Sequence, residues 1–257
     1  MRGINRRQLL WGTCACTNAI LVERGGLTCL ADERPRTVGC CLTGTQAARI
    51  VARSSGGISN AKEAITVIPH SDDPDLNSAL VHGLARISDT FAVLPRFGFY
   101  DDSDQHNACA IKSDTADGSD GTVLFGLNLL GELLALKEGR DFAIMAVCAH
   151  EFGHIVSYKT DIYAALCPDP DHPFRSEQFA DFMSGYFAGS RRAVNPGYEA
   201  VKFATTLYGF GGQFRGSHGT FEERGQAVQS GYDTAYKDKL KLSAAISKGF
   251  QFAMSRV

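Results

Sequence analysis

The sequence lacks the features that define several large classes of protein. Its 257 residues carry 26 basic and 28 acidic side chains, so the basic excess that binds a phosphate backbone is missing, and we expect no nucleic-acid partner. Proline is scarce, with 8 residues, and no internal repeat occurs, which excludes collagen-like and low-complexity chains. No stretch after the first thirty residues is apolar enough to cross a bilayer, so we expect no integral membrane span in the mature form.

The cysteine spacing that is typical of zinc-binding motifs is also missing. The eight cysteines include no Cys-x-x-Cys pair, which excludes a zinc knuckle. Three of the eight, Cys14, Cys16 and Cys29, lie before residue 32, so removal of that segment would leave five. Five is an odd number, and the disulfide pairing therefore stays open.

The first 31 residues resemble an export signal. The pair Arg6-Arg7 precedes an almost uncharged stretch of 14 residues from Leu9 to Val22, which is followed by Glu23-Arg24-Gly-Gly and then by Cys29-Leu-Ala31. A membrane-spanning helix needs about 20 apolar residues, whereas a stretch of this length is typical of a signal peptide. The arginine pair resembles the twin-arginine export motif. We predict an exported protein, periplasmic or extracellular; the alternative is a cytoplasmic protein with a short amphipathic or disordered N-terminus.

The remaining pattern predicts an α+β fold. Residues 32–73 form an N-terminal segment of uncertain structure, and residues 74–257 form the main domain. A small mixed or antiparallel sheet followed by a series of helices is typical of α+β rather than alternating α/β proteins. Apolar spacing predicts strands at 96–100, 107–112 and 122–127, and helices at 74–92, 129–136, 141–159, 176–191, 196–207, 220–232 and from 233 onward.

The predicted helix 141–159 contains an H-E-x-x-H motif, His150-Glu151-Phe152-Gly153-His154. Residues four apart share one helix face at roughly 6 Å, so both imidazoles can bind one Zn²⁺. Glu151 lies along the same face, where its carboxylate can take a proton from a water molecule in the fourth coordination position and later deliver it to a leaving group. The surrounding helix is strongly apolar, and three polar side chains would be costly there unless they are coordinated or hydrogen-bonded.

A catalytic zinc normally takes a third protein ligand. The metzincin extension is excluded because Ser157 and Thr160 occupy the positions that would need Gly and His. On the next predicted helix, Glu177 and Asp181 form a Glu-x-x-x-Asp pair on one face. Glu177 can complete a His₂Glu site, and Asp181 can accept the free ring N–H of a ligand histidine, which fixes its tautomer.

These residues resemble the gluzincin zinc metallopeptidases, especially soluble HtpX-like peptidases and the neutral zinc metallopeptidases of bacteria. The resemblance covers roughly residues 96–224 and implies that Glu177 is the third ligand and that Asp181 supports a ligand histidine. The segment from Ser217 to Arg224 is similar to a Ser/Thr-His-Pro segment of that family, with Gly219 in place of Pro. The resemblance implies that His218 stabilises the oxyanion; the alternative is that His218 caps the following helix.

The segment Asn107-Ala108-Cys109-Ala110 is similar to an Asn-Ala-Phe-Ala edge strand of the same family, to which an extended substrate adds as another strand. Asn107 and Ala108 are therefore candidate substrate-binding residues, and the alternative for Asn107 is a simple turn residue. Together these features predict a zinc-dependent endopeptidase with one Zn²⁺ per chain and a protein or peptide substrate. The competing hypothesis is a catalytically inactive, zinc-stabilised domain that binds peptides or proteins.

Overall fold

The structure, a computed structural model, describes residues 67–102, 106–112, 118–169, 171–200, 203 and 218–256. The predicted export signal, nearly all of the 32–73 segment and half of the predicted helix 196–207 lie outside the described residues. The prediction is wrong for residues 196–199, which are described and form a turn instead of a helix. Within the described part, a small sheet is packed by helices, which confirms the α+β prediction.

The sheet contains three strands, β1 (Arg96–Tyr100), β2 (Ala108–Ile111) and β3 (Thr122–Gly126), in the order β1-β3-β2. β1 pairs with β3 in parallel, whereas β2 pairs with β3 in antiparallel orientation, so the sheet is mixed. Among the described strands β2 lies at one edge, as the sequence predicts.

The helices agree with the predicted positions to within a few residues, except at the C-terminal end. There, one helix extends to Tyr236, and the last begins at Leu242 rather than at residue 233. The described residues contain α1 (Pro74–Phe91), α2 (Leu127–Leu134), α3 (Arg140–Lys159), α4 (Tyr163–Leu166), α5 (Phe174–Val194), α6 (Phe221–Tyr236) and α7 (Leu242–Met254).

Helix α3 lies at the centre of the molecule. Its residues from Ala146 to Tyr158 are all buried, and the Tyr158 hydroxyl donates to the Ala110 carbonyl of β2 at 3.3 Å. A helix that is apolar on nearly all sides belongs in a core rather than at a surface. The sheet therefore packs against the helix that carries the H-E-x-x-H motif.

Glycines let α5 approach its neighbours closely. A Cβ atom at Gly153 of α3 would lie 2.9 Å from the Ala180 Cα of α5. A Cβ at Gly231 of α6 would overlap the Phe182 carbonyl oxygen of α5. Because both contacts involve backbone atoms, they fix the packing of α3 and α6 against α5.

The membrane prediction agrees with the described part of the chain. No helix found there combines the length and the apolar composition that crossing a bilayer requires.

Candidate metal centre

Helix α3 carries the two histidines of the H-E-x-x-H motif on the face that packs against α5. His150 is 3% exposed and His154 is 2% exposed. Their ring centroids are 4.9 Å apart, with the planes nearly perpendicular at 84°. The spacing of four residues thus places both imidazoles side by side, as the sequence predicts.

The carboxylate of Glu177, in the first turn of α5, is the point at which three imidazoles meet. The Nε2 atoms of His150 and His218 each lie 3.2 Å from Glu177 Oε2. The Nε2 atom of His154 lies 3.5 Å from Glu177 Oε1. Glu177 itself is only 1% exposed, so water does not screen these contacts.

The opposite ring nitrogens of the motif histidines are held by α5. His150 Nδ1 lies 2.8 Å from Asp181 Oδ1, and His154 Nδ1 lies 3.2 Å from Ser176 Oγ. A carboxylate only accepts, so His150 donates from Nδ1, and in the neutral imidazole the lone pair is then on Nε2. That lone pair points at the Glu177 carboxylate.

These contacts fit a bound cation. An imidazole lone pair and a carboxylate oxygen 3.2 Å apart repel each other unless a proton or a metal ion lies between them. Among the described residues, the buried Nε2 atom of His154 has no hydrogen-bond partner. The ligand atoms of His150, Glu177 and His218 all lie within 4.8 Å of one another, so these three side chains could hold one cation, and imidazole with carboxylate is a donor set that zinc prefers. His154 is not among these three, and its Nε2 atom lies 3.5 Å from Glu177 Oε1.

Asp181 connects His150 to Arg224 of α6. Arg224 donates from Nε to Asp181 Oδ2 at 2.8 Å and from Nη2 to Asp181 Oδ1 at 2.7 Å. Both side chains are buried, at 0% exposure for Asp181 and 3% for Arg224. This two-point contact is the strong form of an ion pair. It orients the carboxylate that holds His150.

The surroundings favour a charged carboxylate and an uncharged imidazole. Burial alone raises the pKa of Glu177, but the neighbouring His218 and His154 outweigh burial and hold that pKa well below its ordinary value. Burial likewise raises the pKa of Asp181, and Arg224 and His150 reverse this to a net decrease. Burial lowers the pKa of His218 to about 4, although Glu177 opposes the shift.

His218 reaches Glu177 from a turn that precedes α6. Gly219 has φ +88°, in the left-handed region that favours glycine. The helix is capped by Thr220, whose side chain accepts from the Glu223 backbone N–H while the Glu223 side chain accepts from the Thr220 N–H. The side chain of His218 is therefore not needed as a cap. It lies beside the Glu177 carboxylate, together with His150 and His154.

Glu151, Asn107 and Ala108 are the remaining predicted site residues. Glu151 follows His150 in α3 and is 3% exposed. Asn107 lies just before β2, where its side chain accepts from the Ala108 N–H at 2.8 Å and its backbone N–H donates to Asp102 at 3.0 Å. These are the contacts of a turn that opens a strand. Neither contact joins Asn107 or Ala108 to the histidines or to Glu177.

Two contacts of the site were not predicted from the sequence. They are the contact of Ser176 with His154 and the ion pair of Arg224 with Asp181. Ser176 directly precedes Glu177 and carries no distinctive spacing. Arg224 does have a signal, since it lies on the same helix face as Val228 and Gly231, four and seven residues later, and all three pack inward. A charged residue on an apolar helix face indicates a buried partner.

Comparisons with protein families, with curated proteins and with solved structures find no match for the chain. The resemblance to gluzincin metallopeptidases therefore stays a prediction. The residues of the site and their geometry carry the functional assignment.

Proposed function

We propose that the protein is a zinc-dependent endopeptidase of the gluzincin type. The observation that carries this proposal is the convergence of three imidazole Nε2 atoms on the buried Glu177 carboxylate, within 3.5 Å. Two of these imidazoles come from one H-E-x-x-H helix, and Glu177 comes from a Glu-x-x-x-Asp pair on the next long helix. One Zn²⁺ per chain would be held by His150, His154 and Glu177, which is the His₂Glu set of catalytic zinc sites.

When bound, zinc would supply a Lewis acid that acidifies water and polarises a carbonyl group. The chain's own groups handle the protons and the charge. Glu151 accepts the proton of the attacking water and delivers it to the leaving amine. His218 donates a hydrogen bond to the oxyanion that develops on the substrate. Asp181, anchored by Arg224, keeps His150 in the tautomer whose Nε2 lone pair faces the metal position.

The proposed substrate is an extended protein or peptide chain. β2 lies at an edge among the described strands, and a substrate strand adds to such an edge through backbone hydrogen bonds. Asn107 and Ala108, at the start of β2, would be among the first residues it meets. The export-signal resemblance supports the proposal that this activity lies outside the cytoplasm, in the periplasm or the medium.

Zinc analysis and one substitution test this proposal. The purified protein should carry about one zinc per chain, and His150→Ala or His154→Ala should lose it. Glu151→Gln should keep the zinc and the fold but lower hydrolysis of a fluorescent peptide library by about 10²- to 10⁴-fold, because only proton transfer is removed. A wild-type protein that binds no zinc under metal-replete conditions contradicts the proposal.

The second candidate is a catalytically inactive, zinc-stabilised domain that binds peptides or proteins. One observation favours it: His218 raises the number of possible ligand side chains to four, and four protein ligands are typical of structural zinc sites. The Glu151→Gln comparison separates the two candidates. If wild type and Glu151→Gln are equally inert toward broad peptide libraries while both bind zinc, the binding function is the correct one.

A further inference from the structure

We infer that Asp102 is a positioning residue for β2: its buried carboxylate fixes the backbone at the start of this strand, in the place where an extended substrate chain adds. The inference rests on the proposed use of β2 as the strand that binds substrate, and it names the group outside β2 that holds it in place. Asp102 follows the last residue of β1, Tyr100, by two positions, and it is 3% exposed. The proposed zinc chemistry does not use this carboxylate.

Both oxygens of the Asp102 carboxylate accept hydrogen bonds, and these bonds join separate elements. Oδ2 accepts from the Asn107 N–H at 3.0 Å and from the Leu129 N–H at 3.1 Å. Oδ1 accepts from Asn128, from its backbone N–H at 2.7 Å and from its Nδ2 at 2.9 Å. Asn128 and Leu129 lie in the first turn of α2, whose N-cap residue, Gly126, has no side chain that could accept. One buried carboxylate thus ties the start of β2 to the start of α2.

The backbone of Asn107 is held on both sides. Its N–H donates to Asp102, while its carbonyl oxygen accepts from the Gly126 N–H at 2.8 Å and from the Tyr100 hydroxyl at 3.3 Å. A Cβ at Gly126 would overlap the Asp102 carboxylate and crowd the Asn107 carbonyl oxygen. Glycine at this position therefore lets the three groups meet, and a shift of the carboxylate moves Asn107.

The position of Asn107 decides which backbone groups of β2 face an incoming strand. In an antiparallel pair, successive residues direct their N–H and carbonyl groups toward the partner strand and away from it in turn. Because the Asn107 carbonyl faces β3, the groups of Ala108 and Ala110 face the opposite side. On that side the Asn107 side chain holds the Ala108 N–H, and the Tyr158 hydroxyl donates to the Ala110 carbonyl. A substrate strand would pair with the Ala108 carbonyl and the Ala110 N–H.

A purely structural role for Asp102 is the alternative, and Asp120 provides the matched control. The Asp120 carboxylate also accepts from a backbone N–H, that of Leu94 at 2.6 Å, and from a side chain, Lys159 Nζ at 3.0 Å. Among the described residues, these hydrogen bonds join the segment before β1 to the end of α3. Replacing either aspartate should cost stability, but only the loss of Asp102 should displace the start of β2.

Binding of fluorescein-labelled casein tests the inference. Fluorescence anisotropy is measured on the full-length protein carrying Glu151→Gln, the parent variant, so that the probe is not hydrolysed. Adding Asp102→Ala should weaken casein binding about 10-fold, which corresponds to the loss of about one hydrogen bond to the displaced strand. The zinc content should stay that of the parent. Adding Asp120→Ala should leave casein binding unchanged, although urea unfolding should show a comparable loss of stability.

Gly126→Ala disturbs the same contact from the opposite side. The backbone of Gly126, with φ −68°, is compatible with alanine, so the change acts through the added methyl group against Asp102 and Asn107. It should also weaken casein binding in the parent variant. Circular dichroism establishes that each variant is folded, and Gly126→Ala provides the answer if Asp102→Ala does not fold.

The outcomes separate the inference from the proposed function. Unchanged casein binding in folded Asp102→Ala and Gly126→Ala overturns the inference. An equal loss in Asp120→Ala also overturns it, because binding would then follow stability alone. If the parent does not bind casein while the wild type hydrolyses it, the inference fails and the proposed function stands. A wild type that binds casein through an Asp102-dependent β2 but hydrolyses nothing contradicts the proposed endopeptidase and supports the inference.

Discussion

The buried ion pair between Asp181 and Arg224 leads to a prediction about stability. Arg224→Met removes the guanidinium but keeps most of the side-chain volume. It leaves the Asp181 carboxylate, which is 0% exposed, with His150 as its remaining partner among the described residues. Removing one partner of a buried pair typically costs about 3–5 kcal/mol, since the other charge stays buried without compensation. We expect Arg224→Met to lower the free energy of unfolding by that amount.

Urea unfolding of the metal-free, full-length protein measures the effect. For a chain of this size the dependence on urea is near the upper end of the usual range, about 3 kcal/mol per molar urea. A loss of about 3–5 kcal/mol therefore moves the unfolding midpoint down by about 1–1.7 M. Lys237→Met is the matched control, because its partner Asp233 is 3.0 Å away but the lysine is 62% exposed. Exposed pairs contribute at most about 1 kcal/mol.

A double variant distinguishes stability from metal binding. In Asp181→Leu with Arg224→Met, both charges are replaced by apolar groups, so stability should recover to within about 1–2 kcal/mol of wild type. His150 loses its Nδ1 partner in the same variant, and zinc affinity should fall about 10- to 100-fold. A midpoint shift below about 0.3 M for Arg224→Met would refute the reasoning. The ion pair would then contribute as little as a solvent-exposed pair does, although both side chains are buried.

Two further predictions follow from the packing and from the leader. Gly231→Ala should destabilise the protein by about 1–3 kcal/mol in thermal unfolding, since its Cβ overlaps the Phe182 carbonyl oxygen; the control Gly131→Ala meets nothing within 4 Å and should stabilise α2 by roughly 0.5–1 kcal/mol. Equal melting temperatures for the two variants would contradict the packing argument. N-terminal sequencing of protein from its native cells should start near Asp32, and a start at Met1 in the cytosolic fraction would disprove export.

Features that depend on local spacing could be predicted from the sequence. The apolar periodicity and the H-E-x-x-H spacing place α3 within one residue of its observed start, and the four-residue interval puts His150 beside His154. The Glu-x-x-x-Asp interval likewise predicts one face for Glu177 and Asp181, and the structure shows both carboxylates against His150. A helix repeats every 3.6 residues whatever surrounds it, so these relations hold before any tertiary contact forms.

Features that depend on contacts between distant segments could not be predicted. The parallel pairing of β1 with β3 requires a crossover connection that strand propensity does not encode. The sequence pattern therefore predicted a sheet that is either mixed or antiparallel. The contact between Arg224 and Asp181 spans 43 residues and depends on how closely α6 approaches α5. That approach is set by glycines such as Gly231, whose role is visible only when the opposing backbone is known.

The position of His218 shows why its role could not be transferred by resemblance. The similar family segment carries Pro where this chain has Gly219, and proline holds φ near −65°. Gly219 has φ +88°, so a proline-containing turn could not follow the same backbone path. A histidine one residue earlier is then directed by a different turn, and its contact with Glu177 Oε2 at 3.2 Å results from this turn and from the packing of α6 on α5. The oxyanion role proposed for His218 therefore depends on residue 219 as much as on residue 218.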